Sequence, residues 1–376
     1  MRVAMIGSRG IPAMYGGVET VVEVLSEGLA DNGHDVTVIC RRRDYDDRPP
    51  VIDGVRCVYL WAPAARGFGS LVHAVVGTLW VLPRGFDVVH YHALGPGIPA
   101  VVARALTSAR IVQTVHGRDD QRAKWGYIPR LILRLGFRLS ALVPHETLVV
   151  SRELQQQYAE RFDRPTTVVP NAVRPTVKRP PGPLLESLGL SPQGYALFIG
   201  RLVPEKAPHE LIQGFVRSGI DIKLVLVGGS TETSSYAGVV DGAAQGSRNV
   251  IMTGPLYDDD LAELLSNAAI FVTASHLEGL PTTVIEAGRA AIPCLASDIP
   301  PHRELLEPAG PGRRLFRVGD LDDLAETLLS MHAQLDSERD GAARLAEEFD
   351  SRFSVERAVR THEVAYGFSR EQPEAT

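Results

Sequence analysis

Short apolar runs alternate with longer amphipathic stretches from the start of the chain. Residues 2–6 (RVAMI) form a compact apolar run that gives way to the glycine-rich GSRGIPAMYGG (7–17). VETVVEVLSEGLADNG (18–33) then repeats apolar positions at helical spacing until Asn32-Gly33 stops it, and HDVTVIC (34–40) reads as the next strand. Strand, glycine loop, helix, strand is the opening unit of a doubly wound parallel sheet. GVRCVYL (54–60), FDVVHYH (86–92), ARIVQTVHG (109–117) and ETLVVS (146–151) continue the pattern, and TTVVPNAV (166–173) closes it.

The proline-rich and basic PTVKRPPGP (175–183) predicts a stiff linker, after which the alternation starts again. YALFIGRL (195–202), IKLVLVGG (222–229), NVIMTG (249–254) and AAIFVTA (268–274) read as strands, with helices expected over 208–218 and 258–267. Beyond 320 the spacing is helical: LDDLAETLLSMHAQL, a charged run, then VERAVRTHEVAYGF. Only the last seven or so residues lack a folding pattern. The expected architecture is α/β, with two Rossmann-like parallel-sheet lobes facing across a cleft, where ligands commonly bind.

A chain of 376 residues fits two domains better than one core. With 44% hydrophobic and 22% charged residues it is globular, and a net charge of −6 argues against nucleic acid as a partner. Cys40, Cys57 and Cys294 are odd in number and widely spaced, which disfavours a disulfide framework or a zinc site. The N-terminus enters a strand at once, without the pattern of a signal peptide, and the longest apolar run (71–83) contains His73 and is too short to span a bilayer. A cytoplasmic location is expected.

The richest chemistry lies in SHLEGLPTTVIEAGRAAIPCLASD (275–298). Pro281 suits the first helical position, which would leave the N–H groups of Thr282 and Thr283 free at a positive helix end, ready for a phosphate. Glu278 precedes that turn, and Glu286 lies one helical turn beyond Thr282. Upstream, Arg201 and Lys206 are two cations five residues apart just past a strand end. One ion pair near the surface contributes roughly 4 kcal/mol at about 4 Å, so the pair could stabilise a diphosphate leaving group without a metal. Asp258 to Asp260 fit the first turn of a helix better than a metal site. His90 and His92 share a strand face without a third ligand at suitable spacing, which favours structural or acceptor-side roles. Glu19 fits either a first-turn dipole partner or an acceptor-side residue. GSRG is not a G-x-G-x-x-G fingerprint and no P-loop pattern occurs, so NAD and P-loop readings lose support.

In that context G-R-L-x-x-x-K (200–206) and E-G-L-P-x-x-x-x-E-A (278–287) resemble the retaining glycosyltransferases of the GT-B fold, in glycosyltransferase family 4, group 1. IGSRGIPAMYGGVET (6–20) and VHGRDDQRAKWG (115–126) resemble a rhamnosyltransferase-like subgroup. The resemblance implies a hexosyltransferase that uses a nucleoside diphosphate sugar, with no cofactor and no metal, in cell-surface polysaccharide or glycoconjugate biosynthesis. It implies that Arg201 and Lys206 bind the donor diphosphate and that Glu286 holds the ribose. Glu278 would contact the transferred sugar, helped by the backbone of Gly279, Leu280, Pro281, Thr282 and Thr283. Gly16 and Gly17 would let the first lobe approach phosphate and acceptor, and His116 would sit beside the sugar. The family's P-N-G is Pro170-Asn171-Ala172 here, which leaves the role of Asn171 open. The final helix, about 353–370, would return to the N-terminal acceptor lobe (1–174), leaving 175–352 as the donor lobe. A nucleotide-sugar epimerase of the same architecture, or a silent sugar- or lipid-binding subunit, are the alternatives.

Arg130, Arg134 and Arg138 recur every four residues in IPRLILRLGFRLSALV (128–143). On a helix they form one stripe beside an apolar face, suited to peripheral contact with an anionic membrane at the inner face of the cell membrane. The other reading is a solvated helix packed on its own domain.

Overall fold

The computed structural model describes residues 1–14, 16–64, 68–122, 125–169, 171–175, 177–229 and 234–368. Tyr15, Ala123, Lys124, Pro170, Thr176 and the C-terminal residues expected to lack order lie outside the described residues. Two compact units result: Met1–Val173 with Phe353–Thr376, and Arg174–Arg352.

In the first unit the described strands are β1 (Arg2–Ile6), β2 (Asp35–Arg41), β3 (Val51–Ile52), β4 (Val55–Leu60), β5 (Val88–His92), β6 (Arg110–Val115), β7 (Glu146–Val149) and β8 (Thr167–Val168). They form one sheet in the order β3-β4-β2-β1-β5-β6-β7-β8. Every pairing is parallel except β3 with β4. Parallel neighbours need crossovers, and α1 (Gly17–Asp31), α2 (Gly69–Val81), α3 (Ala100–Leu106), α4 (Tyr127–Leu142) and α5 (Arg152–Phe162) supply them. The β3–β4 hairpin escapes a periodicity reading because β3 is two residues long; Asp53 and Gly54 make its turn with φ of 45° and 77°.

The second unit contains α6 (Pro183–Ser187), β9 (Tyr195–Ile199), α7 (Pro208–Ser218), β10 (Lys223–Val227), α8 (Ser234–Ala244), β11 (Val250–Gly254), α9 (Asp258–Asn267) and β12 (Ile270–Thr273). It continues with α10 (Thr282–Arg289), β13 (Cys294–Ser297), α11 (Pro300–Leu306), β14 (Arg313–Phe316), α12 (Leu321–Ala333) and α13 (Leu335–Arg352). Its sheet runs β11-β10-β9-β12-β13-β14, all parallel, with the order reversing beside β9 as in a Rossmann sheet. Leu211, Phe215, Leu324 and Leu328 pack α7 and α12 on Ala196, Phe198 and Leu224 of the strands. The charged run after 335 is itself helical: α13 buries Ala342, Leu345 and Phe349 along one stripe together with Glu338, whose carboxylate pairs with Arg314, and leaves its other charges exposed or half-buried.

The expected linker is partly docked rather than free-standing. Asn267 Nδ2 donates to Arg179 O at 3.1 Å, Gly182 N donates to Glu263 Oε1 at 2.9 Å, and the Arg179 guanidinium pairs with Asp259. Proline stiffens this stretch of chain, but Arg179 and Gly182 find partners on α9.

The last helix, α14 (Val355–Ala365), belongs to the first unit, where Val359, Ala365 and Tyr366 join the core of Val22, Leu25 and Leu29 from α1. Gly28 allows this close crossing, since a Cβ there would fall 2.6 Å from Val359 Cγ2.

Candidate functional site

In the second unit, chemistry gathers where parallel strands end. β9 stops at Ile199, the chain passes Gly200 and Arg201, and Pro204–Lys206 makes a single tight helical turn. The carbonyl of Glu205 accepts from His276 N at 2.8 Å, which ties that turn to the loop following β12. Lys206 therefore meets Glu278: Nζ donates to Oε1 at 2.8 Å, with side-chain exposures of only 15% and 14%. Ser275 Oγ donates to the same oxygen at 2.8 Å. Burial alone would raise the Glu278 carboxyl, but the Lys206 charge and the hydrogen bonds from Lys206 and Ser275 carry it below its ordinary value.

Glu286, on α10, experiences the opposite balance. Burial pushes its carboxyl up to about 7, and the Lys206 charge only partly opposes the rise. Lys206 thus faces two carboxyls of different character, one held ionised and one poised near neutrality. Pro281 is not the first helical residue as its type suggests. It stands extended at φ −73° and ψ 111°, and α10 begins at Thr282. The expected free donors survive this one-residue shift, because the first N–H groups of any helix lack an intrahelical acceptor and those of Thr282 and Thr283 donate to no described residue. Leu280 is buried beneath this turn, and Gly279 is half-buried at its edge.

Arg201 behaves differently from Lys206. Its side chain makes no hydrogen bond or ion pair among the described residues. The strand ends approach closely behind it, since a Cβ on Gly228 (φ 141°) would fall 1.9 Å from Gly200 O. Asp258 to Asp260 occupy the first turn of α9.

His302, which sequence reasoning passed over, completes this cluster. Its Nδ1 donates to Ser297 O at 2.7 Å, so the proton sits there and Nε2 carries a lone pair. That Nε2 is buried with no hydrogen-bond partner, and burial lowers the imidazole to about 4. Ser297 Oγ in turn donates to Ser275 O, linking β13 to the residue that holds Glu278.

In the first unit, His116 follows β6 and is half-buried. Burial lowers it to about 4, opposed by the charge of Asp119 and a hydrogen bond with Asn171. Its Nε2 lies 3.1 Å from Nδ1 of His92. His90 sits behind, with Nδ1 2.8 Å from Tyr366 Oη and Nε2 2.7 Å from Thr114 Oγ1. His362 of α14 donates from Nδ1 to Ala358 O at 2.8 Å and, like His90 and His92, is held neutral chiefly by burial. No group of three or more His, Cys, Asp or Glu among the described residues could hold a metal ion.

Gly16 precedes α1 in an extended conformation (φ 165°), and a Cβ there would meet only Glu19 Oε2 at 3.6 Å. The protein's own packing therefore does not require glycine at Gly16, and Gly17 is the first residue of α1. Glu19 Oε1 accepts from Arg9 N at 3.3 Å, so its carboxylate tethers the glycine-rich loop. Arg130, Arg134 and Arg138 line a cavity of about 680 Å³ rather than a flat surface.

Comparison with known proteins divides at the same place as the chain. Residues 15–177 match the family model Glycosyltransferase Family 4, and residues 186–341 match Glycosyl transferases group 1. Phosphatidyl-myo-inositol mannosyltransferase of Mycolicibacterium smegmatis is 27% identical over 351 residues, covering 88% of this chain and 84% of that protein. Sucrose-phosphate synthase of Thermosynechococcus elongatus superposes with a TM-score of 0.82 at 22% identity, over 96% of this chain and 98% of that one. HepE of Anabaena in complex with UDP-glucose gives a TM-score of 0.80 at 15% identity, over 98% and 99%. These folds are of the GT-B type.

Proposed function

We infer that this chain, which joins a Glycosyltransferase Family 4 domain to a Glycosyl transferases group 1 domain, is a retaining, metal-independent glycosyltransferase. It moves a sugar from a nucleoside diphosphate donor to a hydroxyl of a glycan or lipid-linked acceptor, in cell-surface polysaccharide or glycoconjugate assembly. The observation that carries this reading is Lys206 facing Glu278 and Glu286 beside the unpaired N–H groups that open α10.

Each group has a task. Lys206, Arg201 and the Thr282 and Thr283 N–H groups offset the charge that grows on the departing diphosphate. Arg201 is free to turn to it, whereas Lys206 must share itself with Glu278. Glu286 holds the ribose hydroxyls. Glu278, kept ionised, accepts hydrogen bonds from the transferred sugar and orients it. His116 is neutral and therefore serves the sugar as a hydrogen-bonding group, not as a cation. The departing phosphate takes the acceptor proton on the face it leaves, so the protein's contribution is positioning and charge stabilisation. The second unit is assigned the donor and the first the acceptor. The mycolicibacterial relative's action on a phosphatidylinositol supports a lipid acceptor here.

No helix among the described residues is long and apolar enough to cross a membrane. A peripheral contact is supported instead by α4, which exposes Tyr127, Ile128, Leu131 and Leu135 beside its arginines.

A thermal-shift panel with UDP, GDP, dTDP, ADP and NAD tests the whole reading. Stabilisation by one nucleoside diphosphate, with sugar release only when acceptor is present, is expected. Stabilisation by NAD alone would overturn it, and donor epimerisation without acceptor would replace transfer.

A further inference from the structure

The cavity of about 680 Å³ in the first unit is lined by Arg118, Arg130, Arg134, Arg138 and Arg161, together with Phe137 and a few neighbours. Its volume lies within the roughly 300–1,000 Å³ of small-molecule sites. Two elements contribute: Arg130, Arg134 and Arg138 come from α4, and Arg161 from the last turn of α5. The carboxylate of Asp120 also lines it, but Arg118 consumes that charge with Nε and Nη2 each 2.8 Å from an Asp120 oxygen. Arg118 is itself immobilised, donating from Nη1 to Gln157 at 2.7 Å and stacking 4.1 Å over the Phe137 ring.

The remaining four arginines, like Arg201 and a few others, pair with no carboxylate among the described residues. Elsewhere Arg179, Arg217, Arg289, Arg303, Arg313, Arg314 and Arg317 each face a carboxylate. The side chains of Arg130, Arg134, Arg138 and Arg161 make no hydrogen bond or ion pair among the described residues. Nε of Arg130 is even buried without an acceptor, a state that is costly for a donor on a cation. Like charges from two helices converging on one hollow suit an anion with several acceptor oxygens. Guanidinium groups suit phosphate because their planar donors bind it in pairs.

We propose that this cavity, whose lining shares no residue with the donor cluster, is a phosphate-binding pocket that takes the phosphate or diphosphate of a lipid-linked acceptor. The proposal rests on the glycosyltransferase reading and deepens it by naming the part of the acceptor that is gripped. The lipid source follows from α4 itself. Tyr127, Leu131 and Leu135 recur every four residues one helical step from the arginines and are 83%, 56% and 49% exposed. A pocket for phosphate thus adjoins an apolar stripe that has no protein covering it, which fits a phosphate carried at a membrane surface.

The test uses the full chain, Arg134→Gln/Arg161→Gln and Lys206→Ala. Inorganic pyrophosphate should raise the melting temperature of wild type and of Lys206→Ala, and the shift that remains in Lys206→Ala should be lost when Arg134→Gln/Arg161→Gln is added to it. Sedimentation with phosphatidylcholine vesicles containing phosphatidic acid should weaken at least ~tenfold in the double variant, as expected when charge-assisted bonds to phosphate are lost. Arg161 lies off the α4 stripe, so its contribution separates a pocket from a flat basic surface. Stabilisation by pyrophosphate with vesicle binding unchanged in the double variant would assign the pocket to a free phosphate and overturn the lipid source. A pyrophosphate response that vanishes in Lys206→Ala and persists in the double variant would overturn the pocket. A nucleoside diphosphate shift retained by the double variant shows that the fold and donor site are intact. Absence of that shift in wild type would sink the proposed function instead.

Discussion

Lys206 Nζ and Ser275 Oγ each lie 2.8 Å from one oxygen of Glu278, so a single carboxylate oxygen ties the turn after β9 to the loop after β12. The consequence is that Lys206 cannot be removed quietly. Lys206→Met leaves Glu278 with little solvent and no cation, a change that costs about 3 kcal/mol when buried pairs are broken from one side. Chemical denaturation should show that loss, and Lys206→Met/Glu278→Gln should recover most of it. Sugar transfer should fall about 100-fold or more in both variants, as when a group that stabilises developing charge is deleted. Recovered transfer in the double variant would mean that the pair serves only to hold the loops together.

Glu286 makes the second prediction, through pH. Its carboxyl is raised from 4.5 to about 7 in the folded protein. Below pH 4.5 folded and unfolded chains are both protonated there, and the group has no effect on the pH slope. Between 4.5 and about 7 the unfolded chain ionises first, so stability falls as pH rises and levels off above 7. The shift corresponds to at most about 3 kcal/mol. Glu286→Gln should flatten that limb in urea titrations. If the ionised form accepts the ribose hydroxyls, nucleoside diphosphate affinity should strengthen as pH rises through 7 in wild type and lose that trend in Glu286→Gln. An unchanged trend would remove Glu286 from the ribose.

The difference between these two carboxyls could not be read from their spacing. The strand, turn and helix that carry them were legible, because apolar periodicity and Pro281 mark them, and so was most of the alternation that yields both sheets, although β3, β13 and β14 were not read as strands. Only packing shows that Lys206 neutralises Glu278 more than Glu286. His302 and Ser275 escaped for a related reason. Their partnership depends on parallel pairing of β12 with β13, which places Phe271 opposite Cys294 and lets Ser297 reach Ser275. No local pattern encodes a contact across 22 residues. Asn171 was obscured by the change from P-N-G, yet its side chain reaches His116. The arginine spacing was visible, but the cavity needed Arg161 from another helix to become one.

The histidines of the first unit predict an acid limb of the opposite sign to that of Glu286. His116 and His362 are depressed from 6.5 to about 4, and His90 and His92 lie well below 6.5, all led by burial. Their neutral state stabilises the fold above pH 6.5, and that stability is lost as pH falls from 6.5 towards 4. His90→Gln and His362→Gln should reduce the slope in that window, measured by denaturation at each pH. Because His116 stays neutral, His116→Asn should lower transfer without altering the shape of its pH profile above about 5 (roughly one unit above the lowered value). A limb near 6.5 that disappears in the variant would instead make His116 a titrating base.

The exposed stripe on α4 gives the last prediction. Tyr127, Ile128 and Leu131 are 83%, 63% and 56% exposed, so the folded chain gains nothing from hiding them. Burying a leucine side chain in an apolar medium contributes roughly 1.5–3 kcal/mol, and replacing it with a charge removes that and adds a penalty. Leu131→Asp/Leu135→Asp should therefore keep its melting temperature, because neither leucine supports the core, while binding to vesicles drops by a factor of ten or more (about 1.4 kcal/mol per tenfold). The effect should persist with vesicles of phosphatidylcholine alone, where arginine substitutions have little to act on. Transfer to a soluble acceptor analogue should be spared, since no residue of the donor cluster comes from α4. Equal vesicle binding by the variant and the wild type would leave α4 as a solvated helix of its own domain.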